Sequence, residues 1–113
     1  MSWKVTVRHG SRVGREKFDS LDEAIDEARR RVDEVLREGR LPPISSIRDF
    51  SSGQRVQARI EISGPGLIRS PEGGIDVMGD GAAVAYTGAI RKETIEADSL
   101  GHAFERLRTI LQA

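Results

Sequence analysis

The chain has 113 residues, 37% of them hydrophobic and 32% charged, and its eighteen basic residues balance eighteen acidic ones. This length is typical of one domain with its own core, and the absence of cysteine excludes disulfides, a thiolate nucleophile and zinc sites with cysteine ligands. Zero net charge excludes a uniform field that would attract nucleic acid or anionic membranes. No apolar run approaches the roughly 20 residues of a membrane span, and no apolar signal core precedes the first strand pattern, so we expect a soluble, cytoplasmic protein.

The N-terminal residues predict a β-hairpin. Residues 3–8 alternate apolar and polar side chains, which is the pattern of a half-buried strand. The sequence His-Gly-Ser at 9–11 indicates a turn, and a second strand then runs toward Phe18.

An amphipathic helix is predicted after this hairpin. Ser20 can accept hydrogen bonds from the first-turn amides, and Glu23 three residues later completes a capping box. The apolar stripe consists of Leu21, Ala24, Ile25, Ala28, Val32, Val35 and Leu36. The opposite face carries three i,i+4 charge pairs, which are Asp26 with Arg30, Glu27 with Arg31, and Asp33 with Arg37. Gly39 and the prolines at 42 and 43 should end the helix.

Residues 39–81 should form a connector and additional strands. Within the connector, Ile44, Ile47 and Phe50 are expected to anchor the chain on the body of the domain. Residues 56–62 alternate as a strand, with Val56, Ala58, Ile60 and Ile62 on one face. The stretch 63–74 contains four glycines and two prolines and predicts a turn or exposed loop. Residues 74–88 then predict a hairpin with residues 79–81, Gly-Asp-Gly, at its tip.

The C-terminal part repeats the pattern of the N-terminal part at an offset of 79 residues, with seven identities in thirty aligned positions. The shared element Asp-Ser-Leu-x-x-Ala indicates two hairpin-helix units at 3–38 and 82–113, interpreted as a possible internal repeat. Val84 and Tyr86 match Val5 and Val7 and are predicted to share one face of their strand. The second helix has the stripe Leu100, Ala103, Phe104, Leu107 and Leu111. His102 replaces the capping glutamate, which predicts only half of the capping device after Ser99.

These elements predict a single α+β domain over residues 1–113. It contains two ββα units and extra strands in an antiparallel sheet of about five or six strands, with both helices on one face. The strand order stays open, because the two units can be adjacent in one sheet or form separate halves.

The sequence predicts no enzyme, no cofactor and no metal. His9 falls in a turn and His102 in a helical first turn, and neither has metal-ligand neighbours at suitable spacing. Asp76 and Asp80 flank a glycine-rich tip that has too few oxygen ligands for a calcium loop. The glycines of 64–81 precede a strand rather than a helix, unlike a phosphate-binding loop, and no serine has the Gly-x-Ser-x-Gly context.

The second face of the sheet carries no predicted helix, and we call it the open face. It is predicted to be polar and rich in arginine, with Lys4, Thr6, Arg8, Arg15, Lys17, Gln57, Arg59 and Glu61. Such a face is exposed to solvent in many antiparallel sheets, and a partner surface is the alternative. Residues 1–20 have a surplus of three positive charges and residues 71–113 a deficit of three, which could orient two copies head to tail.

Part of the first unit resembles the arm-type DNA-binding domain at the N-terminus of tyrosine recombinases. The resemblance covers about a quarter of the chain and does not assign it to that family. The matching residues are Trp3, Val5, Val7, Arg8, Phe18, Ser20, Glu23 and Ala24. It implies that the sheet enters the major groove, with Arg8, Arg12, Arg15 and Lys17 contacting phosphates or bases.

We therefore expect a non-enzymatic interaction module that acts through its open face or an edge strand and associates with itself or with another protein. The alternative is a nucleic-acid-binding protein that uses the basic N-terminal hairpin. The candidate contact residues for either function are Arg8, Arg12, Arg15, Lys17 and Arg59.

Overall fold

The computed structural model describes residues 2–38, 56–65, 71–79, 81–88 and 93–112. Within them the elements are β1 Trp3–His9, β2 Arg12–Phe18, α1 Leu21–Glu38, β3 Val56–Ser63, β4 Glu72–Met78, β5 Ala83–Thr87, β6 Glu93–Ile95 and α2 Leu100–Gln112. The strands form one antiparallel sheet in the order β2-β1-β3-β4-β5-β6, and both helices pack on the same face. The predicted α+β class, the two ββα units and the single helical layer are confirmed. No described helix is long and apolar enough to cross a membrane.

The two hairpins lie at opposite edges of this sheet. The hairpin β1–β2 forms one edge and β5–β6 the other, while β3 and β4 lie between them. Helix α1 contacts mainly β1 and β3, and α2 contacts mainly β5 and β4. The two units therefore share one sheet without being adjacent.

The interpretation of an internal repeat is not confirmed, and the faces of the strands show where the alignment fails. Val5 pairs with Ile62 and lies on the helix-covered face, in the core. Val84 pairs with Asp76, which pairs with Arg59 on the open face. An offset of 79 therefore matches an inward residue of β1 with an outward residue of β5. The inward positions of β5 are taken by alanines such as Ala85 instead.

The core contains the apolar stripes predicted for both helices. The buried helical residues are Leu21, Ala24, Ile25, Ala28, Val32, Val35, Ala103, Phe104, Leu107 and Leu111. They pack against Val5, Ala58, Ile60, Ile62, Ile75, Val77, Ala85 and Ile95 of the sheet. Leu36 and Leu100 are only partly buried at the rim. Val56 is 45% exposed, because the register of β3 against β4 shifts between Val56 and Ala58.

Both helices begin with a side-chain cap. At α1 the Glu23 amide donates to Ser20 Oγ at 3.1 Å, and the Ser20 hydroxyl donates to the Glu23 carboxylate at 3.1 Å. At α2 the His102 amide donates to Ser99 Oγ at 3.1 Å. The serine half of the capping device is therefore present at α2, as expected. His102 Nδ1 accepts a hydrogen bond at 3.2 Å from the amide of Asp98, which precedes the N-cap Ser99, so it fixes the approach to the helix instead of completing the box.

The loops agree in part with the sequence analysis. The predicted loop 63–74 is shorter than expected, because β4 already begins at Glu72 and includes two of its glycines. Strand β4 ends at Met78 and β5 begins at Ala83, and Gly81 between them has a φ of 90°. The connector residues Ile44, Ile47 and Phe50, the helix-ending Gly39, Pro42 and Pro43, and Asp80 lie outside the described residues.

Gly74 is required by close packing in the middle of the sheet. A Cβ at this position would collide with the carbonyl oxygen of Ile60 and lie 2.9 Å from the Tyr86 hydroxyl. Gly14 on β2 is the opposite case, because a Cβ there would meet no atom within 4 Å. Two glycines in strands of the same sheet therefore have different steric surroundings.

We predict that Gly74→Ala lowers the free energy of unfolding by about 3 kcal/mol, because the collision is with backbone that cannot move independently. The matched control Gly14→Ala should leave it unchanged or raise it by about 0.5 kcal/mol, since alanine loses less backbone entropy than glycine. Urea unfolding followed by circular dichroism measures both values. Equal effects of the two substitutions would contradict the steric argument.

Candidate interaction surface

The open face is built from alternate residues of successive strands. It carries Lys4, Thr6 and Arg8 from β1, Val13, Arg15 and Lys17 from β2, Arg59, Glu61 and Ser63 from β3, Glu72, Gly74 and Asp76 from β4, and Val84 and Tyr86 from β5. No described helix packs on this side. Two regions of the open face differ in how their charges are satisfied.

In the first region, over β3 to β5, the side chains of the strands pack against one another and shield this part of the open face. Tyr86 is only 5% exposed because its ring extends across Gly74, where the missing side chain leaves room. The Arg59 guanidinium lies 5.4 Å from the centroid of this ring. Arg59 also binds Asp76 with two hydrogen bonds, from Nε to Oδ1 at 2.6 Å and from Nη2 to Oδ2 at 3.0 Å. These contacts define the tyrosine cluster: Arg59, Gly74, Asp76 and Tyr86.

The charges of the tyrosine cluster are matched internally. The hydrogen bond to Asp76 raises the pKa of Arg59 further above its ordinary value, against the opposing effect of burial. Burial raises the pKa of the Tyr86 phenol far above its ordinary range, and the negative charge of Glu61 adds to the rise. The phenol therefore stays protonated at neutral pH. Arg59, one of the predicted contact residues, is held by Asp76 and the ring.

The second region lies over β1 and β2 and has uncompensated positive charge. Lys4 is directly opposite Lys17, and Arg15 is opposite Thr6, so three cations lie on two paired strands. All three are exposed, and none forms an ion pair or side-chain hydrogen bond with any residue that the structure describes. We call Lys4, Arg15 and Lys17 the basic corner. Like charges on directly opposite strand positions are destabilising, so this cluster has a cost that an anion would remove.

The basic corner borders a groove on the open face. A cavity of about 210 Å³ runs from Arg15 and Lys4 toward Glu72 and Tyr86. Thr6, which is 4% exposed, lies beneath the cations. Arg8, at the side of the groove, is partly neutralised by Glu61, whose Oε1 is 3.4 Å from Arg8 Nε. The groove is therefore basic at the β2 end and acidic at the β4 end.

The five predicted contact residues do not form one surface. Arg15 and Lys17 belong to the basic corner and Arg8 is next to it, whereas Arg59 is in the tyrosine cluster. Arg12 pairs with His9 and lies on the opposite face of the hairpin, near the end of α1. Arg12 and Arg15 are three positions apart, and strand residues separated by an odd number of positions project to opposite faces. Lys4 was predicted for the open face but was missed as a contact residue, and only the strand register places it opposite Lys17.

Strand β2 is the most exposed element of the sheet. Residues 12–17 are all exposed, and the only described partner of this strand is β1. The one acidic residue of β2, Glu16, binds Arg31 of α1 at 2.9 Å on the helix-covered side. Among the described residues, the charged side chains of β2 that lack an ion pair are therefore all positive.

A charge network on α1 is connected to β2 through Arg31, which also binds Glu16. Glu27, nearly buried, accepts hydrogen bonds from Arg30 and from Arg31 at 2.8 Å. Burial alone would raise the pKa of Glu27, but the hydrogen bonds from the two arginines outweigh it and lower the pKa below its ordinary value. The predicted pair of Glu27 with Arg31 is confirmed, whereas Arg30 binds Glu27 and Glu34 rather than Asp26.

No group of three His, Cys, Asp or Glu side chains in the described ranges could hold a metal ion. His9 Nδ1 lies 3.4 Å from a carboxylate oxygen of Glu38, and His102 caps α2. Asp76, considered as a cation ligand from the sequence, is bound to Arg59. His9, His102 and Asp76 therefore each contact a polar group of the protein itself.

Comparison with known proteins found no match. No family model matches the chain, and neither a curated protein nor a solved structure matches it. The resemblance of the first unit to the recombinase arm domain has no support from these comparisons. The physical features of the surface therefore carry the functional argument.

We predict that Glu27→Gln lowers the free energy of unfolding at pH 7 by about 2 kcal/mol, because it removes the charge that two arginines share. A lowered pKa in the folded state means that this stabilisation is present above the pKa of the unfolded chain and disappears as the pH falls through the folded-state value. The difference between wild type and variant should therefore shrink below about pH 4. Urea unfolding at a series of pH values measures this difference.

The control is Glu105→Gln on the exposed face of α2, where no ion pair to a described residue is present. It should change stability by less than about 0.5 kcal/mol at every pH. A Glu27→Gln difference that stays constant down to pH 3 would show that the charge of Glu27 does not stabilise the fold.

Proposed function

We propose that the protein is a small non-enzymatic interaction module that binds a negatively charged partner at the basic corner and along the free edge of β2. The observation that carries the proposal is the juxtaposition of Lys4, Arg15 and Lys17 on two paired strands, with no ion pair to any residue in the described part of the chain. Elsewhere on the open face, Arg8 and Arg59 have carboxylate partners. An anionic partner supplies the charge that the basic corner lacks, and its binding relieves the repulsion between the two lysines.

Nucleic acid is the second candidate, favoured by the spacing of cations along the hairpin. Three cations on one face can contact neighbouring phosphates. The face offers little for base recognition, however, because Tyr86 is nearly buried and Trp3 and Phe18 pack against the core. The recombinase resemblance also implies contacts from both Arg12 and Arg15, which lie on opposite faces of β2. A protein partner with acidic side chains therefore fits the surface better.

Self-association is part of the proposal, and its charge dependence follows from the same surface. The accessible long edge is β2, and pairing two copies of it places Arg15 and Lys17 of one copy against those of the other. Electrostatic repulsion opposes this contact at low ionic strength and is screened by salt. Binding of an anionic partner has the opposite salt dependence, so the two kinds of association are distinguishable.

We predict that the variant Lys4→Glu, Arg15→Glu, Lys17→Glu loses binding to fluorescein-labelled polyglutamate by more than about tenfold, because repulsion replaces attraction. Fluorescence anisotropy at low salt measures the affinity. The control Arg106→Glu, which reverses an exposed charge on α2, should change it less than about threefold. Equal affinity of the triple variant and wild type would contradict the proposal.

The same assay with oligo-dT tests the second candidate. Three phosphate contacts predict a slope of about −2 for the logarithm of the association constant against the logarithm of salt concentration. Oligo-dT binding that is much tighter than polyglutamate binding at matched charge would favour nucleic acid as the partner.

For self-association, we predict that the weight-average mass rises when salt increases from about 0.05 M to about 0.5 M, because screening weakens repulsion between the β2 edges. Sedimentation equilibrium measures this mass over a range of protein concentrations. The triple variant provides a comparison, since its β2 edge carries the opposite charge. A wild-type monomer at all salt and protein concentrations would remove self-association from the proposal.

A further inference from the structure

We infer that an extended acidic segment of a partner protein adds to the sheet as an antiparallel strand beside β2. This inference rests on the proposed function and specifies the binding mode and the chemistry of the partner. It combines the free backbone edge of β2, the basic corner on one face and a gap at Gly14 on the other.

The backbone of β2 has hydrogen-bonding groups directed away from the sheet. The hairpin turns at Gly10-Ser11, with a φ of 63° at Gly10, and His9 pairs with Arg12 across this two-residue turn. The pair that closes such a turn is a hydrogen-bonded one, and bonded and non-bonded pairs then alternate along the hairpin. The N–H and C=O groups of Val13, Arg15 and Lys17 therefore point outward. An added strand satisfies these groups and gains main-chain hydrogen bonds.

The outward-pointing residues also select the charge of the added strand. Arg15 and Lys17 project on the open face, with Lys4 beside Lys17. Side chains directly opposite each other in paired strands lie on the same face and interact. Partner residues opposite Arg15 and Lys17 are therefore acidic, and they are separated by one residue.

The other face of β2 has a gap in the same place. Gly14 pairs with Val7, and no atom lies within 4 Å of where a Cβ of Gly14 would be. A cavity of about 130 Å³ is present here, and Val5, Val7, Glu16, Glu27 and Arg31 are among the residues that line it. A partner residue opposite Gly14 points into this cavity and is a small apolar one. The preferred segment is therefore acidic-x-acidic-apolar.

Other occupants of the edge fit these features less well. A second β2 brings its own cations against Arg15 and Lys17, which is repulsive. Nucleic acid matches the positive charge but cannot continue the backbone ladder of a β-sheet. The acidic strand alone satisfies the outward amides, the cations and the gap together.

The test is binding of a labelled peptide in which Glu and Val alternate, measured by fluorescence anisotropy with polyglutamate as reference. Val13→Pro removes one outward N–H without changing any charge and should weaken the alternating peptide at least about tenfold. It should leave polyglutamate within about threefold, because side-chain charge attracts that probe. The control Val13→Thr, at a position 46% exposed, should bind both probes like wild type. Gly14→Val fills the gap and should weaken only the alternating peptide.

Two measurements on the unmodified protein avoid any effect of proline on the fold. In the antiparallel pair, the backbone N–H groups of the peptide's Glu residues point toward β2, and those of its Val residues point away. N-methylation of the Glu backbone amides should therefore abolish binding of the peptide to the protein, whereas N-methylation of the Val backbone amides should not. Amide hydrogen exchange of Val13, Arg15 and Lys17 should slow at least about tenfold when the peptide is bound. Unchanged exchange at these amides, or full binding of the Glu-methylated peptide, overturns strand addition. Polyglutamate binding that persists in that case would leave the proposed function intact, and tighter binding of oligo-dT than of either peptide overturns the acidic segment.

Discussion

Both helices bury their apolar stripes against the same face of the sheet, and this packing determines which strand residues lie in the core and which lie on the open face. The helices cover Val5, Ile60, Ile75 and Ala85, so every neighbouring residue in the strands projects toward the open face. That face has to satisfy its own polar groups without a second layer. Over β3 to β5 it does so with the tyrosine cluster, where Gly74 makes room for a ring and Arg59 binds both the ring and Asp76.

The contrast between the two ends of the open face follows from this division. The tyrosine cluster matches each charge with a partner, whereas the basic corner places Lys4 opposite Lys17 with no described counter-charge. Charged side chains on an edge strand reduce unwanted pairing with other chains, which accounts for cations on β2. It does not account for a lysine opposite another lysine, since Lys4 lies on β1 and protects no edge. The proposed binding of an anionic partner would account for the cations on both strands together.

Periodicity in the sequence predicted most of the fold, because each amphipathic element has a clear period. Apolar spacing predicted the strands at 3–8 and 56–62 and both helical stripes, the turn at 9–11 predicted the second strand toward Phe18, and Ser20 and Ser99 located the helix starts. The phase of β5 could not be predicted in this way. Its inward residues are alanines and its outward residue Tyr86 is large, so size indicates the wrong face until the room at Gly74 is known.

The candidate surface was predicted less completely, because pairing between strands is not encoded in local spacing. Alternation alone could have separated Arg12 from Arg15, but the engagement of Arg59 with Asp76 depends on the register of β3 against β4. Local spacing also could not predict the ion pair between Glu16 and Arg31, because it forms only when α1 packs beside β2. That ion pair removes the only negative charge from β2 on its helix-covered side. The edge thus remains positive because Arg31 of α1 binds the single carboxylate of β2, and the charge network under the sheet therefore contributes to the positive surface on which the proposed acidic partner depends.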